Sequence, residues 1–131
     1  MKKASMIKGI GHVGILVKNL EEAVNLYCEL LDLERPPEFK EWPGEGMRHA
    51  MLKVGDQAFE LMEPKPGSAL QKFIEQRGEG IHHINLVVSD MESLVKSLKG
   101  KGATIIERGE KVSFVHPKST KGVLLELRQP D

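Results

Sequence analysis

Two stretches of this chain say nearly the same thing. Gly9-Ile10-Gly11-His12-Val13-Gly14-Ile15-Leu16-Val17 is answered by Gly78-Glu79-Gly80-Ile81-His82-His83-Ile84-Asn85-Leu86-Val87-Val88, with His12 and His83 in register 71 residues apart. Just beyond, Asn19-Leu20-Glu21-Glu22-Ala23-Val24 is matched at the same offset by Asp90-Met91-Glu92-Ser93-Leu94-Val95. A tandem repeat constrains the fold more than any single motif. Each copy buries only one face of its own, so the two copies must pack together.

Each copy opens on a short aliphatic run bounded by Gly and by Asn or Asp. That pattern predicts a strand over Ile10 to Val17 and another over Ile81 to Val88. Asn19 with Glu22 is a capping-box start, and Leu20, Ala23, Val24, Tyr27, Leu30 and Leu31 recur at helical spacing. A helix is expected from Leu20 to Leu31 with that whole stripe facing inward. Pro36-Pro37 ends the helical reading, extended chain is expected up to Trp42, and Pro43-Gly44-Glu45-Gly46 is a loop. Met47 to Val54 and Gln57 to Glu63 read as two strands turned at Gly55-Asp56. Pro64-Lys65-Pro66-Gly67 punctuates the copies. Ser68 with Gln71 caps a short helix from Ala69 to Arg77, its buried stripe being Leu70, Phe73 and Ile74 and its end marked by Gly78 and Gly80.

In the second copy Asp90 caps a helix through Leu94, Val95 and Leu98, closed by Gly100 and Gly102. Extended segments are expected at Ala103 to Glu107, Val112 to His116 and Val123 to Arg128. The fold class is therefore α+β: tandem βαβββ modules forming a curled mixed sheet around a cleft. The expected organisation is a single domain over 1–131, with module one at about 8–66 and module two at about 79–131.

Composition removes several classes of function. Lys plus Arg and Asp plus Glu number 19 each, so no charge excess points to nucleic acid or an acidic membrane. No run approaches the roughly 18 apolar residues of a membrane span, and the start lacks the apolar core of a signal peptide. The single cysteine, Cys28, fits a reducing compartment and reads as a packed thiol in the first helix. A cytoplasmic protein is expected.

The chemistry sits at the two ends of each module. The last strand of the first copy is Ala58-Phe59-Glu60-Leu61-Met62 and that of the second is Leu124-Leu125-Glu126-Leu127-Arg128, each with one carboxylate in an apolar run. Alternation puts Ala58, Glu60 and Met62 on one face, with Phe59 and Leu61 on the other. A lone carboxylate on a half-buried strand face costs several kcal/mol unless it is paired or bound to metal. One His or one Glu in a strand is ordinarily a packing or edge residue, but both recur. His12, Glu60, His83 and Glu126 thus make a candidate set for one divalent ion of the borderline class: Mn, Co, Ni, Zn or Fe. Four protein ligands on an octahedral ion leave two positions for substrate.

Other residues are weaker candidates. His82 alternates to the opposite face from His83 and reads as structural. Trp42 and Met47 line a cleft or fill core. Glu45, in its Gly loop, is a candidate acid/base. His116-Pro117-Lys118-Ser119-Thr120 is a polar turn that could meet an anion through Lys118, Ser119 and Thr120.

The paired βαβββ arrangement resembles the vicinal oxygen chelate superfamily, which includes glyoxalase I, extradiol dioxygenases and metal-free antibiotic-binding proteins. Within it the likeness is to the methylmalonyl-CoA epimerases, from about Ile10 to Gln129. It is carried by the stretch from His12 to Ala23, by Phe73-Ile74-Glu75-Gln76-Arg77-Gly78-Glu79-Gly80-Ile81-His82-His83-Ile84, and by the stretch from Phe114 to Leu127. The resemblance implies metal at His12, Glu60, His83 and Glu126, and a small-molecule acyl-CoA substrate. It also implies interconversion of (R)- and (S)-methylmalonyl-CoA by α-proton abstraction through a metal-stabilised enolate, in a homodimer. Glu126 and Glu45 are then the acid/base pair, with Lys118, Ser119 and Thr120 at the substrate. The alternatives are a glyoxalase I-type lactoylglutathione lyase, which can share the ligand set, and a metal-free small-ligand binder.

Overall fold

The computed structural model describes residues 5–42 and 46–131, the side chain of Trp42 excepted. The order is β1 (Ile7–Leu16), α1 (Leu20–Leu31), β2 (Lys40–Trp42), β3 (Met47–Val54), β4 (Gln57–Pro64), α2 (Ala69–Arg77), β5 (Gly80–Val88), α3 (Met91–Gly100), β6 (Ile105–Glu107), β7 (Val112–Val115) and β8 (Leu125–Arg128). This is βαβββ twice, with α2 between the copies. By contacts the chain falls into two compact units: Val13–His82, and His83–Asp131 together with the residues up to His12. The cuts fall inside β1 and β5, so the units do not coincide with the sequence modules.

In the Val13–His82 unit the strand order is β2-β3-β4-β1. Asn19, extended at φ −135°, accepts the Glu22 N–H at 3.0 Å and starts α1; left-handed Asp32 ends it. Leu20, Ala23, Val24 and Cys28 pack on Ile15, Val17, Ala50, Leu52 and Leu61. Leu20, Leu52 and Leu61 are fully buried, each contributing about 1.5–3 kcal/mol. The inward stripe stops short of its expected length: Leu30 is 71% and Leu31 50% exposed. Tyr27 is the last apolar residue of that stripe to pack on the cluster, edge-on to Phe59 at 5.8 Å. Periodicity alone does not say where a helix outruns its support.

β3 and β4 form the expected hairpin, with Gly55 at φ 62° in the turn and pairing from Val54–Gln57 to Met47–Pro64. The alternation along β4 holds. Phe59 and Leu61 join the α1 cluster, while Met62 joins Met47, Leu16 and Ile74 of α2. Met47 is thus core. Ser68 caps α2 by accepting the Gln71 N–H at 3.1 Å. Arg48 bonds Glu63 and Glu21, and Glu63 also accepts the Leu20 N–H at 2.8 Å, tying β3 and β4 to the start of α1.

In the other unit the order is β1-β5-β8-β7-β6. β8 runs parallel to β5 and antiparallel to β7. Asp90 accepts the Ser93 N–H at 3.1 Å and starts α3, which buries Met91, Leu94 and Val95 on Val88, Val115 and Leu127. The three closing strands are shorter than expected. β7 ends at Val115 because His116 caps a single 3-10 turn at Pro117–Ser119; one last bond, from the His116 N–H to Thr104 O at 2.9 Å, lies just beyond the β6–β7 register. Among the described residues no helix is long and apolar enough to cross a membrane.

Candidate metal centre

His12 on β1, His83 on β5 and Glu126 on β8 come together within one unit. His12 Nε2 lies 3.1 Å from His83 Nε2 and 3.2 Å from Glu126 Oε1, and His83 Nε2 lies 3.6 Å from the same oxygen. The rings meet nearly at right angles, 81°. An ion bound at about 2.0–2.2 Å with bond angles between octahedral and tetrahedral sets adjacent donors about 2.9–3.6 Å apart. The three separations suit one common ion, and the two-nitrogen, one-oxygen donor set suits a borderline divalent metal.

Strand alternation builds this arrangement. On β5 it sends His83 and Asn85 to one face, and the parallel register sets Asn85 opposite Glu126. Asn85 Nδ2 donates to Glu126 Oε1 at 2.9 Å. Burial pushes the Glu126 carboxyl up, but His12, His83 and Asn85 outweigh it and hold it below the usual glutamate range. His83 and Asn85 are buried, at 3% and 2% exposure. His12 and Glu126 are partly exposed, which leaves the cluster reachable from solvent.

Sequence reasoning passed over Asn85. Its signal was available: an amide within the aliphatic run from Ile84 to Val88, two residues from a candidate ligand and therefore on its face. It also passed over His49 on β3, whose Nδ1 donates to Glu60 Oε2 at 2.7 Å, both residues being buried. Glu60 belongs to the Val13–His82 unit. Among the described residues no buried side-chain polar atom lacks a hydrogen-bond partner.

The other candidates are accounted for individually. His82 stands edge-on to Phe73 at 5.0 Å, as a packing residue does. Cys28 is a buried thiol. Lys118 is exposed on the 3-10 turn, which is held by Ser119 Oγ accepting the Thr104 N–H at 2.9 Å and by Thr120 Oγ1 donating to Val123 O. Glu45 lies outside the described residues.

Comparison with known proteins places this geometry in context. Residues 11–130 match the family model of the glyoxalase/bleomycin resistance protein/dioxygenase superfamily. The chain is 34% identical over 134 residues to the ethylmalonyl-CoA/methylmalonyl-CoA epimerase of Cereibacter sphaeroides, covering 95% of this chain and 99% of that protein. It superposes on the crystal structure of methylmalonyl-CoA epimerase from Mycobacterium tuberculosis with a TM-score of 0.87 and 31% identity, over 100% of this chain and 93% of that one. A Streptomyces coelicolor methylmalonyl-CoA epimerase variant in complex with 2-nitronate-propionyl-CoA gives 0.83 and 30%, over 94% and 97%.

Proposed function

The chain belongs to the glyoxalase/bleomycin resistance protein/dioxygenase superfamily, and on that premise we propose that it is a metal-dependent epimerase interconverting (R)- and (S)-methylmalonyl-CoA. The observation that carries this reading is the convergence of His12 Nε2, His83 Nε2 and Glu126 Oε1 in a chain whose relatives include epimerases of that substrate. The relatives favour this over the lactoylglutathione lyase alternative, and the convergent donors favour it over a metal-free binder.

The substrate's α-hydrogen lies between a thioester carbonyl and a carboxylate, so it is already acidified. A divalent ion held by His12, His83 and Glu126, with Glu60 as a fourth ligand, would act as a Lewis acid toward the oxygens flanking that carbon. Exchange of configuration then needs a proton carrier on each face of the flattened carbon. We assign these roles to Glu126 and Glu45. The contacts of Glu126 named above all run through Oε1, and its depressed pKa keeps it ionised and able to accept a proton. Lys118, with Ser119 and Thr120, offers a cation and hydroxyls to the CoA end. The nitronate bound by the Streptomyces relative is itself a planar α-anion, the shape this chemistry requires. A homodimer in the cytoplasm with Co, Mn, Ni, Zn or Fe at the centre completes the reading.

Deuterium wash-in at the α-carbon of methylmalonyl-CoA, with and without chelator, tests it. Exchange should require metal. Exchange that ignores chelator contradicts the metal's role, and absent exchange beside turnover of methylglyoxal plus thiol assigns the lyase activity instead. Elemental analysis finding no metal, with no activity on adding it, points to the metal-free binder.

A further inference from the structure

We propose that Asn85 is the positioning residue of the metal centre, aiming the Glu126 carboxylate at the two imidazoles, and that Gly11 is glycine to give it room. The inference rests on the reading of His12, His83 and Glu126 as a metal centre and assigns a role to two residues beyond it.

Asn85 is 2% exposed, with the aliphatic Ile84 and Leu86 on either side of it in the strand. A buried amide there is costly unless its hydrogen bonds are made, so its presence calls for a reason. Its Nδ2 donates to Glu126 Oε1 at 2.9 Å, the same oxygen that faces His12 Nε2 at 3.2 Å and His83 Nε2 at 3.6 Å. The bond is made across the parallel β5–β8 pairing, where Asn85 and Glu126 are register partners. A glutamate side chain has three rotatable bonds; a fixed donor on the neighbouring strand removes that freedom before any ion arrives. Outer-shell hydrogen bonds to ligating carboxylates tune metal sites in this way.

Gly11 supplies the second, independent observation. A Cβ built at residue 11 would lie 2.3 Å from Asn85 Oδ1 and 3.1 Å from Val87 Cγ2. Gly11 has no positive φ that would itself call for glycine. The absent side chain therefore reads as clearance for the Asn85 amide. Residue 11 immediately precedes His12, so one short segment supplies a ligand and the space for the group that orients another ligand.

The test is Co(II) or Zn(II) affinity, measured by competition with a chromophoric chelator in the absence of substrate. The visible spectrum of the cobalt form and the thermal unfolding of the metal-free protein accompany it. Asn85→Leu, with the same branching at Cγ but without a donor, should weaken binding about 10–100-fold and alter the cobalt spectrum while the metal-free protein still unfolds cooperatively. Gly11→Ala should weaken it comparably by displacing Asn85. Added to Asn85→Ser, which opens the space, Gly11→Ala should cost at most about threefold more, because both act through one amide. Asn85→Ser guards against Asn85→Leu failing to fold: affinity within about twofold of wild type in either folded variant overturns the proposal, as does full additivity of Gly11→Ala and Asn85→Ser. Normal metal loading in the Asn85 variants of an active epimerase sinks this proposal alone. Lost loading in the Asn85 variants, where the metal-loaded wild-type chain itself shows no epimerase activity, upholds it and sinks the functional reading. A wild-type chain that binds no metal removes both.

Discussion

His12 Nε2 and His83 Nε2 meet at 3.1 Å although 71 residues separate them in the chain. Two ring nitrogens brought that close need something to share, and Glu126 Oε1 completes a donor set for a cation. His12→Ala and His83→Ala should therefore each abolish stoichiometric metal binding and lower kcat/KM by about 10²–10³-fold. The double variant should be little worse than either single one, because the centre works as a unit. Metal content after dialysis and α-deuterium exchange rates check this; a single variant that keeps one ion per chain would contradict it.

Glu126 should make its presence felt in acid. Burial works to raise its pKa, but His12, His83 and Asn85 bring it below the usual range. A carboxyl depressed in the folded state stabilises the fold fully above its unfolded value, about 4.3, and loses that contribution as pH falls through the folded value. Urea unfolding of the metal-free protein and of Glu126→Gln, followed from about pH 6 to about pH 3, should show a gap that is widest at pH 6 and closes in acid. A gap that does not change with pH would refute the linkage.

The buried His49–Glu60 pair separates stability from ligation. His49→Leu removes a donor from a buried carboxylate and should cost about 1–3 kcal/mol, read as a lower urea midpoint. Glu60→Gln keeps an acceptor for His49 Nδ1 and should stay within about 1 kcal/mol of wild type. If Glu60 is the fourth ligand, that same substitution weakens metal binding; unchanged affinity removes Glu60 from the ligand set.

Helix α1 offers an internal control. Leu20 is fully buried and Leu30 is 71% exposed. Leu20→Ala should cost about 2–5 kcal/mol, whereas Leu30→Lys should change stability by no more than about 0.5 kcal/mol. Equal losses in the two variants, measured by chemical unfolding, would mean that Leu30 is covered in solution.

The chain's local chemistry determined a good deal without any structure. Asn19 and Ser68 announce their helices, and α1 and α2 begin where those caps say, because a cap is satisfied by N–H groups three residues away; α2 also ends at the expected glycine, Gly78. The repeat picked out His12 and His83, and the carboxylate that recurs in the apolar last strand of each copy picked out Glu126. Tertiary structure alone decided that these three donors share one point, that Glu60 takes a bond from His49, and that α1 carries Leu30 and Leu31 into solvent. Alternation assigns a side chain to a face, but which neighbour stands opposite depends on pairing between strands far apart in the chain. The parallel register that sets Asn85 against Glu126 belongs to no single segment. It exists only once β5 and β8 have paired, which is why the amide that holds the carboxylate passed unnoticed in a strand whose histidine was plain.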